Sequence, residues 1–358
     1  MSTSRSLGVF LEALPLEAVR KFARRADERR WGSAWFPEIT FGDAFTPAAA
    51  AALETKSIRL ATGVVGIWSR SPVAMSLTAA SLSQLCGGRL ILGLGLQSRT
   101  YVEDWHGARY VKPVTAMREY VTIVRRVLAG ESVSHDGEVF RVKNFQLQIP
   151  PPDPPVPIYI AAIGPKMTQL AGEIADGVLG YFHSISYFKN AVLPNLRVGA
   201  TRAGRSLENF DIVCGFPAII TEDYNGLDLI KGQVLMFATA GESSPFYAES
   251  FAQAGYADEL QQIRERFARK DMKGALSVIT NEMADAFTLA GPPDHVRQRV
   301  EEYHAAGVKH VALNPSPPGV YFPLFQGHFP EGVEMPPFSF PAYLKVIGDV
   351  IDTMGEGS

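Results

Sequence analysis

The sequence predicts an α/β fold of the (β/α)8 TIM-barrel type. Two observations carry this. Strand-like and helix-like segments alternate nearly throughout, and the strand-like runs number about eight. No internal repeat or low-complexity tract interrupts them, so 1–358 reads as one elaborated domain.

The elements follow in order. Leu7–Leu11 is an apolar run, and Leu16–Arg30 is an amphipathic helix in which Lys and Arg alternate with acids at helical spacing. Ser33–Glu38 is the second strand and Ala44–Glu54 the next helix. Ile58–Val65 is rich in β-formers, and Pro72–Leu85 repeats apolar residues three and four apart. Arg89–Leu94 is the fourth strand, and Pro113–Ala129 is a well-patterned helix that starts at a proline. Ile158–Ile163, Gly177–Tyr181, Phe210–Ile220 and Val308–Leu313 complete the strands.

Two stretches break the alternation. Residues 132–145 contain Asp136-Gly137 between short β-prone pieces, the pattern of an inserted hairpin. The proline-rich run 150–157 that follows is a stiff extended connector. Residues 224–281 are largely helical and longer than one crossover needs, which points to a helical insertion near the barrel mouth.

Bulk properties narrow the function. With 46% hydrophobic and 20% charged residues in 358, the chain is globular. A net charge of −3 with scattered basic residues argues against nucleic acid as a partner. Two cysteines in apolar settings indicate no disulfide framework. The absence of an apolar signal core and of any run of membrane-spanning length points to the cytoplasm and to no membrane partner.

The segment 157–180 is the most informative about chemistry. A strand, a Gly-Pro turn and a helix follow one another, so Gly164, Pro165 and Lys166 bring unpaired N–H groups, the helix dipole and a cation to one spot. A phosphate-bearing cofactor needs such a seat; a tight turn with no ligand explains the segment equally well. Barrels bind ligands at the C-terminal ends of their strands. The residues there, including Glu38, Arg70, Leu96, Gln97, Ser98, Arg99 and His183, mix apolar surface with a few polar groups and cations. That suits a planar aromatic cofactor with a phosphate tail and a small-molecule substrate. Glu38 ends an apolar strand and reads either as a group acting beside the cofactor or as a partner for Arg70. His183 enters a loop at the mouth and reads either as a satisfied pocket histidine or as the second candidate for proton transfer. The seven histidines show no metal-ligand spacing, and Gly93-Leu-Gly95 lacks the third glycine of a dinucleotide fingerprint.

Residues 37–46 (PEITFGDAFT), 58–65 (IRLATGVV) and 88–96 (GRLILGLGL) together resemble the bacterial luciferase-like superfamily. Residues 105–107 (WHG), 112–120 (KPVTAMREY) and 158–180 are similar to its coenzyme F420-dependent branch, which includes methylene-tetrahydromethanopterin reductases. The resemblance spans most of 7–181 and returns at 291–313. It implies a flavin or deazaflavin ring at the C-terminal mouth, backed by a cis peptide at Gly63–Val64 with Val65 following. It implies a phosphate on Ile163, Gly164, Pro165 and Lys166, with Leu96, Gln97 and Ser98 bordering the ring. Arg70, Arg99 and Lys166 are the candidate cations for the acidic tail of coenzyme F420. Branch members that oxidise glucose 6-phosphate carry a histidine where this chain has Ile39 and an acid where it has Gln97 and Ser98, so that reaction is not expected. The expected activity is hydride transfer between coenzyme F420 and a small organic acceptor. The alternatives are an FMN-dependent monooxygenase and a cofactor-binding protein without turnover. The resemblance also implies a homodimer.

Overall fold

The computed structural model describes residues 5–40, 42–240, 245–317 and 339–355, with the side chain of Pro245 excepted. Eight parallel strands close into a barrel: β1 (Ser6–Phe10), β2 (Ser33–Phe36), β3 (Arg59–Thr62), β4 (Leu90–Gly95), β5 (Ile158–Ala161), β6 (Gly177–Tyr181), β7 (Asp211–Ile220) and β8 (His310–Pro315). Each pairs with the next, and β8 returns to β1 in the register Ser6↔His310 to Val9↔Leu313. The (β/α)8 expectation holds. Strand ends differ from the sequence expectation by at most three residues, the largest difference being at the end of β3, where the ladder breaks before Val65.

The central layer of the barrel interior takes one side chain from each strand: Phe10, Trp35, Ala61, Ile91, Tyr159, Leu179, Val213 and Ala312. At the N-terminal floor below them lies a polar group. His310 bridges Ser6 Oγ (2.7 Å) and Asp211 Oδ1 (3.1 Å), and the Asp211 carboxylate also accepts from the Tyr159 hydroxyl and from Arg59 at 3.4 Å. Burial alone would raise the Asp211 pKa, but these donors outweigh it and hold it down to about 2. The outer layer is the larger core. It packs helix residues such as Phe22, Met75, Tyr120, Leu170 and Val300 against the outward faces of the strands.

The helix Pro72–Leu85 matches its predicted bounds. Pro72 stands at its first turn, and Ser71 caps it by accepting from the Ala74 N–H at 3.1 Å. The predicted hairpin is two strands, Val133–Asp136 and Arg141–Phe145. Its connector passes Gly88, whose φ of 78° and missing side chain leave room for Pro154. The helical insertion runs further than 224–281: helices Asn225–Ala238, Pro245–Gln253, Ala257–Ala268, Met272–Val278 and Asn281–Phe287 occupy it. A short strand, Leu289–Gly291, then pairs with the end of β7. These helices have their own core, built around Phe182 at the end of β6, which stacks on Phe237 and Phe287 with centroids 4.2 and 5.0 Å apart. The insertion is thereby fixed above the β5–β6 side of the mouth.

Candidate active site

The mouth is organised around a bulge in the third strand. The Gly63–Val64 peptide is cis, as the resemblance implied, and the strand resumes at Val65–Gly66, which pairs with Leu94–Gly95 of β4. Val64 fills the room that Gly95 of β4 leaves, and the Thr62 carbonyl fills that at Gly93. A β-carbon on Gly95 would lie 2.5 Å from Val64 Cγ2, and one on Gly93 would lie 3.4 Å from Val64 Cγ1. The Gly93-Leu-Gly95 motif therefore accommodates the bulge.

Glu38 is the junction of three loops. Its side chain is buried and accepts from Arg70 Nη1 (2.5 Å), Ser69 Oγ (3.1 Å) and the Ala44 N–H (3.3 Å). Its backbone carbonyl accepts from Gln97 Nε2 at 3.2 Å, and its N–H donates to Val64 O at 3.3 Å. The chain ends of β2, β3 and β4 are thus tied through one residue. In each of these side-chain contacts Glu38 is the acceptor, so its carboxyl oxygens are taken up by the loops they join. Gln97 adopts φ of 59°, which folds its amide back over Gly66. Ser98 turns the chain into the next helical segment, its hydroxyl accepting from the Tyr101 N–H at 3.3 Å, and Leu96 is half-buried against the core.

Residues 163–166 form the expected strand-to-helix turn. The helix Pro165–Ile174 follows β5, with Gly164 at its N-cap and no side chain capping it. Lys166 is exposed and has no ion pair among the described residues. Tyr187 OH fixes Ile163 by donating to its carbonyl at 2.9 Å. The ring of Phe246, from the insertion, lies directly against Gly164, so a side chain there would collide with it. The cations expected for the cofactor tail divide: Arg70 is taken up by Glu38, Arg99 pairs with Glu103 at 2.9 Å, and Lys166 alone of the three stands clear.

His183 does not join the mouth. Leu179 and Tyr181 point into the barrel and Gly180 points outward. Phe182 then takes φ of 59°, and the His183 ring folds onto the outer side of Gly180, with Tyr187 5.1 Å away. Complete burial pushes its pKa down to about 4, so it is neutral at pH 7. Of the two expected acids and bases, His183 is thus turned away from the mouth and the Glu38 carboxylate is engaged by Arg70 and Ser69.

A second buried acid stands at the mouth, on which no sequence expectation fell. Glu12, two residues beyond β1, is buried and accepts from Asn314 Nδ2 at 3.1 Å; the same nitrogen donates to Tyr181 OH at 2.9 Å. The Tyr181 ring lies across Gly215 and meets Phe10 edge-on at 5.9 Å. Glu12, Tyr181 and Asn314 stand at the C-terminal ends of β1, β6 and β8, where barrel chemistry is carried. An acid directly after an apolar run is the only sequence signal for Glu12.

A barrel whose mouth joins an apolar bulge, a buried acid and an uncapped helix start defines a cofactor-binding barrel. The family model for luciferase-like monooxygenases matches residues 3–310, and the chain belongs to this family. A 5,10-methylenetetrahydromethanopterin reductase of Archaeoglobus fulgidus is 34% identical over 264 residues, covering 73% of this chain and 77% of its own. A coenzyme F420-dependent tetrahydromethanopterin reductase from Methanopyrus kandleri matches with a TM-score of 0.76 at 26% identity, over 87% of this chain and 93% of its own. An FMN complex of a type II Baeyer–Villiger monooxygenase from Pseudomonas putida shares the fold, with a TM-score of 0.69 at 16% identity over 99% of both chains. No described helix is long and apolar enough to cross a membrane.

Proposed function

We propose that this chain is a coenzyme F420-dependent oxidoreductase that transfers a hydride between the deazaflavin and a small organic acceptor. The observation that carries the reading is the flanking of β4 by the Val64 bulge on one side and the uncapped Gly164–Lys166 helix start on the other. Family membership and the reductases that the chain resembles support it. The residues fit such a cofactor: Val64 and Leu96 offer apolar surface to a ring, and the free N–H groups with Lys166 offer a place for a phosphate.

When bound, the deazaflavin supplies or accepts the hydride. Val64, seated against Gly95, would give the ring a fixed apolar floor. Glu38 keeps the three loops around it in register. Glu12 is the group we assign to hold or release the proton, with Asn314 and Tyr181 orienting its carboxyl. Gln97 and Ser98, in the loop after β4, would border the ring.

One observation favours a second reading, an FMN-dependent monooxygenase. Arg70 and Arg99 are engaged by Glu38 and Glu103, so the path outward from the seat offers fewer cations than an acidic tail would use. The absorption spectrum of the cofactor that co-purifies from a host making both separates the readings. A single deazaflavin band in the violet supports the first, and a flavin doublet would replace it with the second.

We infer that the working unit is a homodimer. The helix Pro72–Leu85 has no charged residue, and Leu77 and Leu85 are exposed on it, beside the exposed Leu53 at the end of the neighbouring helix. Sedimentation of the wild type and of Leu77→Glu tests this; a monomer in the wild type removes it.

A further inference from the structure

The inserted hairpin is tied to the mouth by a continuous set of contacts that the proposed function does not use. Glu119, on the helix Pro113–Leu128, accepts from three successive N–H groups of the hairpin turn: Glu138 at 2.8 Å, Val139 at 3.0 Å and Phe140 at 2.9 Å. That fixes the Phe140 ring, which meets Tyr120 edge-on at 5.2 Å and Trp68 at 5.9 Å. Tyr120 OH donates to the Arg70 carbonyl at 3.0 Å. Trp68 meets Tyr110 at 6.0 Å, and the Arg99 guanidinium lies over the Tyr110 ring at 5.2 Å.

Trp68 and Arg70 belong to the loop that follows the bulge, and Arg99 to the loop after β4. The Trp68 indole N–H is buried and donates to no described residue, so ring packing alone holds that side chain. Phe140 is the hairpin's contribution to that packing. Beyond Ile67, whose N–H donates to the Gly95 carbonyl at 3.1 Å, the loop is held by side-chain contacts, and removing one of its packing partners loosens it.

We propose that the hairpin 133–145 is a buttress for the mouth, and that Phe140 is a positioning residue. Pressed against Trp68 and Tyr120, it keeps residues 67–71 in the conformation in which Arg70 reaches Glu38. Arg99 is reached by the same aromatic cluster through Tyr110. The hairpin thus supports the cofactor side of the barrel without touching cofactor or substrate. In its consequence for ligand affinity this rests on the reading that the mouth binds a deazaflavin; in its structural part it does not.

Amide hydrogen exchange of the cofactor-free protein, with peptides spanning 66–71, is the direct test. Phe140→Ala is expected to raise exchange there at least tenfold while peptides over β5 and β6 keep the wild-type rate. Phe140→Tyr is expected to restore protection, and Ser134→Ala, at the far end of the hairpin, to leave it unchanged. Should Phe140→Ala not fold, Glu119→Gln loosens the same turn and is expected to act in the same direction. In parallel, the coenzyme F420 affinity of Phe140→Ala is expected to fall about tenfold. Unchanged exchange across 66–71 overturns the buttress whatever the cofactor is. A wild type that binds neither coenzyme F420 nor FMN removes the functional reading and leaves the exchange result to decide this one.

Discussion

Val64 occupies the space that Gly95 leaves open: a β-carbon on Gly95 would lie 2.5 Å from Val64 Cγ2. Two separate stretches of sequence, GVV after β3 and GLG within β4, are therefore halves of one feature. The glycine is required by the valine that leans into it, and that valine is the surface proposed to back the cofactor ring.

Gly95→Ala tests the relationship. Its β-carbon meets a side chain, which can shift, so the protein is expected to fold with a loss of about 1–3 kcal/mol. Cofactor affinity is expected to fall more than tenfold, because Val64 must move. Gly93→Ala differs: its β-carbon would overlap the backbone carbonyl of Thr62, and little soluble protein is expected. Thermal melts and a cofactor titration check both.

The roles of the two acids separate kinetically. Glu38→Gln keeps the shape but weakens the pair with Arg70, so the expected effect is a rise in the cofactor dissociation constant with kcat retained within a few-fold. Glu12→Gln is expected to lower kcat by about a hundredfold with cofactor affinity near the wild type, the size of effect of losing a positioned proton donor. Steady-state kinetics with a direct cofactor titration decide it; the reverse pattern would return the proton to Glu38.

Lys166 is the exposed cation beside the uncapped helix start. Lys166→Glu is expected to weaken cofactor binding more than tenfold, about 1.4 kcal/mol, without lowering the melting temperature. The wild-type affinity is expected to fall with rising salt, since the contact is exposed. An unchanged affinity would put the phosphate elsewhere.

The floor of the barrel sets the acid limit. The folded pKa of Asp211, about 2, lies below its ordinary 3.8. Stability from this group is then fully present above about pH 4 and is lost as pH falls through 3.8 towards 2. The contribution is on the order of 2 kcal/mol. Chemical denaturation of the wild type and Asp211→Asn between pH 2 and 7 is expected to give curves that differ at neutral pH and converge in acid.

The barrel was legible because each strand is an apolar run bounded by breakers and each early helix has a period. The helix Pro72–Leu85 could be placed to the residue because proline and serine mark its start. The uncapped helix start at Gly164–Lys166 was legible too, since its parts are consecutive. Glu38 was ambiguous, because the partner that decides between its two readings, Arg70, lies in another loop. His183 was misplaced for a local reason: strand parity would have carried it to the mouth, but the left-handed turn at Phe182 sends it outward. Glu12 escaped notice because its companions Asn314 and Tyr181 come from distant strands that only barrel closure brings together.

Titrating the purified chain with coenzyme F420 and with FMN tests the central claim most directly. The account predicts coenzyme F420 bound at least tenfold more tightly, with its affinity falling more steeply with salt than that of FMN. FMN bound equally or more tightly, with equal salt slopes, would contradict it.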